Sequence, residues 1–181
     1  MKMQIWKLCL WTLQLSRRIP TVQALKRDVN SESNQFIGTS REGKSTKIHA
    51  VVDGLGNLVY FQLTGGNVHD STVTVDILSH LDLSDSTILD DKAYGTNEIL
   101  DYIQRQDGDY VIPPKSNTRN PWRCDWVLYK ERHLVECFFL KLKQFRCVAT
   151  RYDRLASSFL AFVYLATIAI WYLVPKIWFN P

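Results

Sequence analysis

Strand-like and helix-like segments alternate in the middle of this chain, and this alternation restricts the possible folds more than any other feature. Residues 86–91 form a short apolar run that ends in two aspartates. Residues 95–105 then have apolar positions at helical spacing, and residues 110–112 are a brief apolar run stopped by two prolines. A strand, a helix and a strand in this order predict parallel pairing with helices on the sheet faces. The predicted fold class is therefore α/β.

A β-hairpin is predicted upstream of this unit. Residues 47–53 and 58–64 are strand-like, and the Gly-Leu-Gly-Asn run between them has the composition of a tight turn. Residues 25–46 are polar and basic, which predicts an exposed loop. The Asp-Ser-Thr that opens residues 70–80 predicts the capped start of a short helix.

Two helices are predicted downstream, over residues 125–145 and from about residue 155. Residues 155–174 contain no charge, and such a run is long enough to span a bilayer. The run also contains Ser157, Ser158 and Thr167 and directly follows a basic helix. These features favour a buried core helix and a protein that is not in the membrane.

The four cysteines bear on the cellular compartment. They form no CxxC pair, and their spacing does not resemble that of a zinc site. A reducing, cytoplasmic setting is the simplest interpretation, because stable disulfides are rare there.

Charge is unevenly distributed along the chain. Residues 1–50 hold nine Lys or Arg against three acids, and residues 115–181 hold eleven against four. Residues 51–114 hold only two Lys or Arg against eleven acids. An acidic middle between basic ends suits a protein that binds metal ions centrally and a polyanion around them, although scattered surface charge gives the same totals.

Asp90 and Asp91 end the predicted strand at residues 86–91, where the carboxyl ends of parallel strands tend to line a site. Side chains alternate along a strand, so only one of the two can face that site. A carboxylate in this position is either a ligand for a hard cation such as Mg²⁺ or a solvated acid in a turn.

The predicted helix at residues 125–145 brings four functional side chains to one face. At about 100° per residue, Tyr129, Arg132, Glu136 and Lys143 fall within roughly 60° of one another. Glu136 is therefore either a salt-bridged surface residue or a metal ligand flanked by phosphate-binding cations.

His69 and Asp70 follow a Gly-Gly turn and are candidate accessory residues. His69 could assist a site, but it could equally form a hydrogen bond within the turn. His49 lies on a predicted strand and is interpreted as a packed histidine rather than a ligand.

The spacing Tyr129, Arg132, Glu136 and Lys143 is that of a family signature: Tyr, two residues, Arg, three residues, Glu, six residues, Lys. Several neighbouring sequence words agree with it, at residues 45–53, 64–71, 91–94, 111–114 and 143–153. Over roughly residues 34–173 the chain resembles a DDE transposase of the bacterial insertion-sequence type. Several collinear words make this signal more specific than any single motif.

The resemblance implies an RNase H-like fold, with a mixed five-stranded sheet and helices on both sides. It also implies phosphoryl transfer with two Mg²⁺ ions held by three carboxylates. Asp91 matches the second aspartate and Glu136 the closing glutamate, while Tyr129, Arg132 and Lys143 match contacts to the DNA backbone. The implied partners are the terminal inverted repeats of an insertion sequence and further copies of the chain.

The chain departs from the family at its first catalytic aspartate, which should lie on a strand upstream of the hairpin. Its first aspartate, Asp28, lies in a polar stretch. The first strand is therefore predicted to be replaced or missing, although residues 8–15 are apolar enough to occupy its place without the carboxylate. The predicted divisions are an atypical segment at 1–33, a catalytic domain at 34–174 and a tail at 175–181.

A frameshift is our hypothesis for this departure. Codons permitted for residues 10–19 can encode Val-Asp-Ser-Thr-Thr-Ile-Lys-Ala-His in another frame, with the aspartate codon straddling Trp11 and Thr12. The nucleotide sequence of the gene tests this, since a closed or unrelated alternative frame would exclude it. The sequence therefore predicts an inactive transposase remnant, and the alternative is a non-catalytic DNA-binding regulator derived from one.

Overall fold

The computed structural model describes residues 6–16, 35–41, 43–118, 120–153 and 155–173. Its strands are β1 (Trp6–Ser16), β2 (Gly38–Ser40), β3 (Gly43–Val52), β4 (Leu58–Gly65), β5 (Ser86–Leu89) and β6 (Asp109–Val111). Its α-helices are α1 (Asp70–Ser79), α2 (Asn97–Arg105), α3 (Trp126–Tyr129), α4 (His133–Leu142), α5 (Arg146–Ala149) and α6 (Ala156–Leu173). Single 3₁₀ turns cover Lys92–Tyr94 and Lys130–Arg132.

The strands form one mixed sheet in the order β2-β3-β1-β5-β6, and β4 also pairs with β3. Without the short β2, the order is β4-β3-β1-β5-β6, which is the RNase H-like arrangement. β5 runs parallel to β6, as the strand-helix-strand pattern predicts, and it also runs parallel to β1. The α/β prediction and the RNase H-like fold are thus confirmed, with a sixth strand in addition to the five expected.

β1 occupies the central strand position. Its backbone pairs in parallel with β5, from Trp6 opposite Ser86 to Cys9 opposite Leu89, and Leu8 is buried. The first strand is therefore replaced rather than missing. This is physically reasonable because β1 is rich in apolar residues, which suit a strand covered on both faces.

The hairpin forms as predicted, but β3 begins earlier than its apolar pattern suggests. Its first residues pair with β2, with Gly38 opposite Ser45, so residues 38–40 and 43–46 are not the exposed loop that was predicted. Ser45 and Thr46 are both about 1% exposed. The following turn is held by Asp53, whose Oδ1 accepts hydrogen bonds from two backbone N–H groups at 2.8 and 2.9 Å.

Backbone contacts divide the chain into two compact units. The first comprises Met1–Trp11, His49–Gln62 and His69–Phe138, and the second Thr12–Ile48, Leu63–Val68 and Phe139–Pro181. Buried apolar residues of the first unit come mainly from β3, β5, α1 and α2, and include Val52, Ile77, Leu89, Ile99 and Ile103. Those of the second include Leu142, Val148, Phe159, Val163 and Ala166. The predicted domain boundaries at 33 and 174 stay predictions, and residues 17–34 and 174–181 lie outside the described residues.

α6 corresponds to the apolar run that was interpreted as a core helix. One face is buried, through Ala156, Phe159, Val163, Ala166 and Ile170. The other face exposes large apolar side chains, among them Tyr164, Leu165, Ile168 and Trp171. The helix therefore packs along one face only. In the part of the chain that the structure describes, no helix is both long and apolar enough to cross a membrane.

Candidate active site

The two aspartates at the end of β5 have different environments. All four residues of β5 are buried, and Asp90 is also buried at 1% exposure, while Asp91 is half-buried. Asp90 Oδ1 accepts the backbone N–H of Asp91 at 2.7 Å. Asp91 Oδ1 accepts the N–H of Lys92 at 2.7 Å and so caps the 3₁₀ turn that follows. Asp91, the predicted ligand, is therefore the more accessible of the two carboxylates.

Burial raises the pKa of Asp90 well above the usual aspartate value. The N–H of Asp91 opposes this effect, and the negative charge of Asp91 adds to it. Arg132 lowers the same pKa and Asp70 raises it slightly. These effects place the end of β5, the start of α1 and the turn at Arg132 within electrostatic range of one another.

Asp90→Asn is expected to raise the melting temperature at pH 7 in metal-free buffer, whereas the exposed Asp109→Asn should leave it nearly unchanged. The unfolded chain releases the Asp90 proton near pH 4, while the folded chain retains it to higher pH. Stability contributed by protonated Asp90 is therefore present at low pH and lost as the pH rises. Melting curves from pH 3 to pH 8 should show the advantage of the variant shrinking towards pH 3. An advantage that does not depend on pH would contradict this account.

The helix predicted over residues 125–145 is interrupted. α3 is only four residues long, the 3₁₀ turn at Lys130–Arg132 follows, and α4 begins at His133 and ends at Leu142. Asp125 caps α3, because its Oδ1 accepts the N–H groups of Val127 and Leu128 at 2.9 and 3.1 Å. The prediction of one continuous helix was wrong, although the segment is helical throughout most of its length.

Tyr129, Arg132 and Glu136 lie together despite this interruption. Arg132 Nη2 lies 3.0 Å from Glu136 Oε1, and the guanidinium carbon of Arg132 lies 5.4 Å from the ring centre of Tyr129. The Arg132 side chain is 19% exposed and that of Glu136 is 44% exposed. Burial raises the pKa of Tyr129, and Arg132 partly offsets that effect. The tyrosine therefore stays a neutral hydrogen-bond donor beside a charged arginine.

The ion pair corresponds to one of the two interpretations of Glu136, the salt-bridged residue. It does not prevent the other, because the Glu136 side chain is 44% exposed and its partner Arg132 also acts electrostatically on Asp90. Lys143 follows the end of α4 and is exposed, with its backbone N–H bonded to Phe139 O at 2.9 Å. Its role as a DNA contact stays a prediction.

His69 forms the hydrogen bond within its turn that was one of its two interpretations. Its Nδ1 lies 2.8 Å from Ser71 Oγ. His69, and not Asp70, is the N-cap residue of α1, and Asp70 is the first residue of the helix. The sequence did not reveal that Asp70 acts electrostatically on Asp90, because that effect depends on the packing of α1 near β5.

Known proteins match this chain in sequence. The family model described as "Transposase DDE domain" matches residues 20–122, which is more than half of the chain. A Brucella ovis protein named as a transposase for insertion sequence element IS6501 is 35% identical over 131 residues, covering 70% of this chain and 98% of that relative. The chain belongs to the DDE transposase family. The resemblance stated from the signature is thus confirmed.

Among solved structures, the Mos1 transposase in a paired-end complex with the left transposon end is similar to this DDE transposase chain. The TM-score is 0.39 at 13% identity, and the similarity covers 89% of this chain. The chain spans 55% of the Mos1 chain. The RNase H-like fold is therefore assigned from the strand order of this structure and not from that similarity.

DDE transposases generally use divalent metal ions, and the chemistry requires acidic ligands. Within the described part of this chain, no group of three or more His, Cys, Asp and Glu side chains is placed to hold a metal ion. The assignment of Asp91 and Glu136 as metal ligands stays a prediction from the family signature. The described residues therefore do not fit the two-metal centre of the family.

Proposed function

We propose that this chain is a DDE transposase that recognises the ends of an insertion sequence and has lost most of its cleavage and strand-transfer activity. Two observations support this: Tyr129, Arg132 and Glu136 form a cluster within electrostatic range of Asp90, and no three acidic, histidine or cysteine side chains of the described residues are placed to hold a metal ion. The proposed catalytic and metal-binding residues are Asp91 and Glu136. The proposal therefore separates DNA binding, assigned to the arginine cluster, from catalysis, which needs a complete acidic set.

The proposed DNA contacts are chemically suited to phosphate. Arg132 is held in place by Glu136 and by the ring of Tyr129, so less side-chain freedom is lost when its guanidinium binds an anion. Tyr129 can donate its hydroxyl to a phosphate oxygen. Lys143 is proposed as a third contact on the basis of the family signature and its exposure.

A second candidate function follows from the same combination. A chain that binds inverted-repeat DNA without cutting it would occupy sites that an active transposase needs, and would act as a regulator. The intact arginine cluster and the incomplete acidic set both favour this alternative. The two functions differ in whether any cleavage remains.

A binding and cleavage assay separates these cases. The purified chain is incubated with duplexes carrying the inverted repeats and with Mg²⁺ or Mn²⁺, and bound and nicked DNA are measured together. Binding with weak nicking supports the transposase remnant, and binding without nicking supports the regulator. Efficient cleavage would overturn the proposed loss of activity, and the absence of binding would overturn both functions.

Arg132→Gln should weaken duplex binding about tenfold and reduce the salt dependence of binding by about one unit of slope. The reason is the loss of one cation at the phosphate backbone. Arg105→Gln is the matched control, because this substitution removes the same charge from an exposed arginine at the end of α2. Fluorescence anisotropy at several salt concentrations measures both quantities. Equal losses in the two variants would show that net charge, and not the cluster, determines binding.

A further inference from the structure

The segment at residues 126–132 carries two of the proposed DNA contacts, Tyr129 and Arg132, and yet buries none of its side chains. Neither α3 nor the 3₁₀ turn that follows it contains a buried residue. α4 differs, because it buries Val135 and Phe138. Most helical stability in proteins comes from the packing of an apolar face, and a single helical turn is not stable alone. The conformation of residues 126–132 therefore depends on local interactions.

Asp125 provides most of the hydrogen bonds that hold α3. Its Oδ1 accepts the N–H groups of Val127 and Leu128 at 2.9 and 3.1 Å. Its backbone oxygen accepts the N–H of Tyr129 at 2.9 Å. The first N–H groups of a helix have no acceptor within the helix, so a helix start needs such a residue. One residue thus binds three consecutive N–H groups, and the last of them belongs to a proposed DNA contact.

Two contacts to the ring of Tyr129 extend this order to Arg132. The ring of Trp126 packs edge to face against it, with ring centres 5.7 Å apart and an interplanar angle of 84°. The guanidinium carbon of Arg132 lies 5.4 Å from the same ring centre. Both contacts join residues three positions apart, a spacing that brings side chains together only while the segment is helical. Loss of the Asp125 cap should therefore displace both Tyr129 and Arg132.

The charge of Asp125 makes its role distinguishable by experiment. Asp125 is an exposed acid four residues before Tyr129, and a negative charge there opposes the approach of DNA. A helical turn that is already ordered has the opposite effect, because less conformational entropy is lost when its side chains bind a phosphate. Removal of the carboxylate therefore strengthens DNA binding through charge and weakens it through loss of the cap.

We propose that Asp125 is a positioning residue for DNA binding, whose cap on α3 holds Tyr129 and Arg132 in the arrangement that contacts a phosphate. The inference rests on the proposed function, since it requires that these two residues engage DNA. An aspartate or asparagine N-cap favours the ordered helix start over an alanine by about fivefold. Duplex affinity falls by about this factor when the turn of the free variant is mainly disordered.

Asp125→Asn and Asp125→Ala together isolate the cap from the charge. The two variants have the same net charge, and only asparagine retains a side-chain oxygen that caps a helix as well as aspartate does. Asp125→Asn should bind an inverted-repeat duplex at least as tightly as the parent, because it loses a negative charge. Asp125→Ala should bind about fivefold more weakly than Asp125→Asn. Fluorescence anisotropy with the full chain measures both affinities, and circular dichroism confirms that both variants are folded.

Two control variants separate this effect from charge and from capping in general. Asp101→Ala removes the same charge from an exposed position inside α2 and should bind the duplex as tightly as the parent or more tightly. Thr96→Ala removes the N-cap of α2, where the Thr96 hydroxyl accepts the N–H of Ile99. This second control should change duplex affinity by less than about twofold, because α2 carries none of the proposed DNA contacts.

A double-mutant background tests whether Asp125 acts through the two residues that it positions. In a chain that carries both Tyr129→Phe and Arg132→Gln, the fivefold difference between Asp125→Ala and Asp125→Asn should fall below about twofold. The comparison is made at reduced salt, where phosphate contacts are stronger and weak duplex binding is measurable. A purely structural role for Asp125 would leave the difference unchanged in this background.

The outcomes distinguish this inference from the proposed function. Equal duplex affinity of Asp125→Ala and Asp125→Asn overturns the positioning role and leaves the proposed DNA binding intact. A difference that persists in the double-mutant background, or an equal loss in Thr96→Ala, also overturns it. Failure of the parent chain to bind the duplex overturns the proposed function together with this inference. A loss in Asp125→Ala that asparagine restores and that the double-mutant background removes supports the inference.

Discussion

Arg151→Met is expected to lower the free energy of unfolding by about 3 kcal/mol. The Arg151 side chain is fully buried in the second unit. Its Nη1 donates to Thr46 Oγ1 at 2.7 Å, and its Nε donates to Asp153 O at 3.0 Å. The guanidinium also lies 5.0 Å from the ring centre of Phe159. Methionine fills a similar volume but leaves buried hydrogen-bond acceptors without a donor.

The effect should be large because Arg151 connects distant parts of the chain. Thr46 Oγ1, which accepts from Arg151, itself donates to Phe36 O at 2.7 Å, so one guanidinium orders both β3 and the segment before β2. Urea unfolding curves measure the change. Arg146→Met is the control, because Arg146 is exposed on α5 and its loss should change stability by less than about 0.5 kcal/mol. Similar losses in the two variants would show that Arg151 has no special structural role.

The elements that were predicted correctly are those whose signal is local. β5, α2 and the β3–β4 hairpin follow from apolar periodicity and turn residues, which depend on a few neighbouring side chains. Thr96 illustrates this, since its hydroxyl accepts the N–H of Ile99 at 3.4 Å at the start of the segment, residues 95–105, whose spacing predicts a helix. The central strand also formed from apolar residues, as their composition allowed.

Features that depend on distant partners could not be predicted from local patterns. β2 is three residues long and pairs with β3, and Ser45 and Thr46 are buried although they are polar. The burial of Arg151 needs a hydrogen bond across 105 residues of sequence. In each case tertiary contacts override the local tendency of polar residues to stay in solvent.

The candidate site contains one feature that follows from a local pattern and one that depends on distant partners. Tyr129, Arg132 and Glu136 share a face because a 3₁₀ turn winds about 20° more per residue than an α-helix, so three residues shift the face by only about 60°. The prediction that these three side chains share one face is therefore correct although the helix is interrupted. The effect of Asp70 on Asp90 requires that α1 lie near the end of β5, and no local pattern contains that information.

Trp11→Asp is expected to restore a metal-dependent nicking activity roughly 10²-fold or more above that of the parent chain, which corresponds to a few kcal/mol of metal-assisted barrier lowering. The β1–β5 register places Cys9 opposite Leu89. Continued by two residues along both chains, this register would place position 11 level with position 91. Positions at the same level of parallel strands share a face of the sheet, so we expect an aspartate at position 11 to fall on the face of Asp91.

The frameshift hypothesis identifies the same place, because the aspartate of the alternative frame straddles the codons of Trp11 and Thr12. Thr12→Asp is therefore the matched control. It adds the same charge one position further along β1, and successive positions of a strand alternate between its two faces. Only Trp11→Asp should bind Mn²⁺ in calorimetry more tightly than the parent and nick inverted-repeat DNA. The further change Glu136→Gln should abolish both gains, because it removes a ligand of the rebuilt set. Equal gains from Trp11→Asp and Thr12→Asp, or none from either, would show that β1 does not hold the position of the lost aspartate.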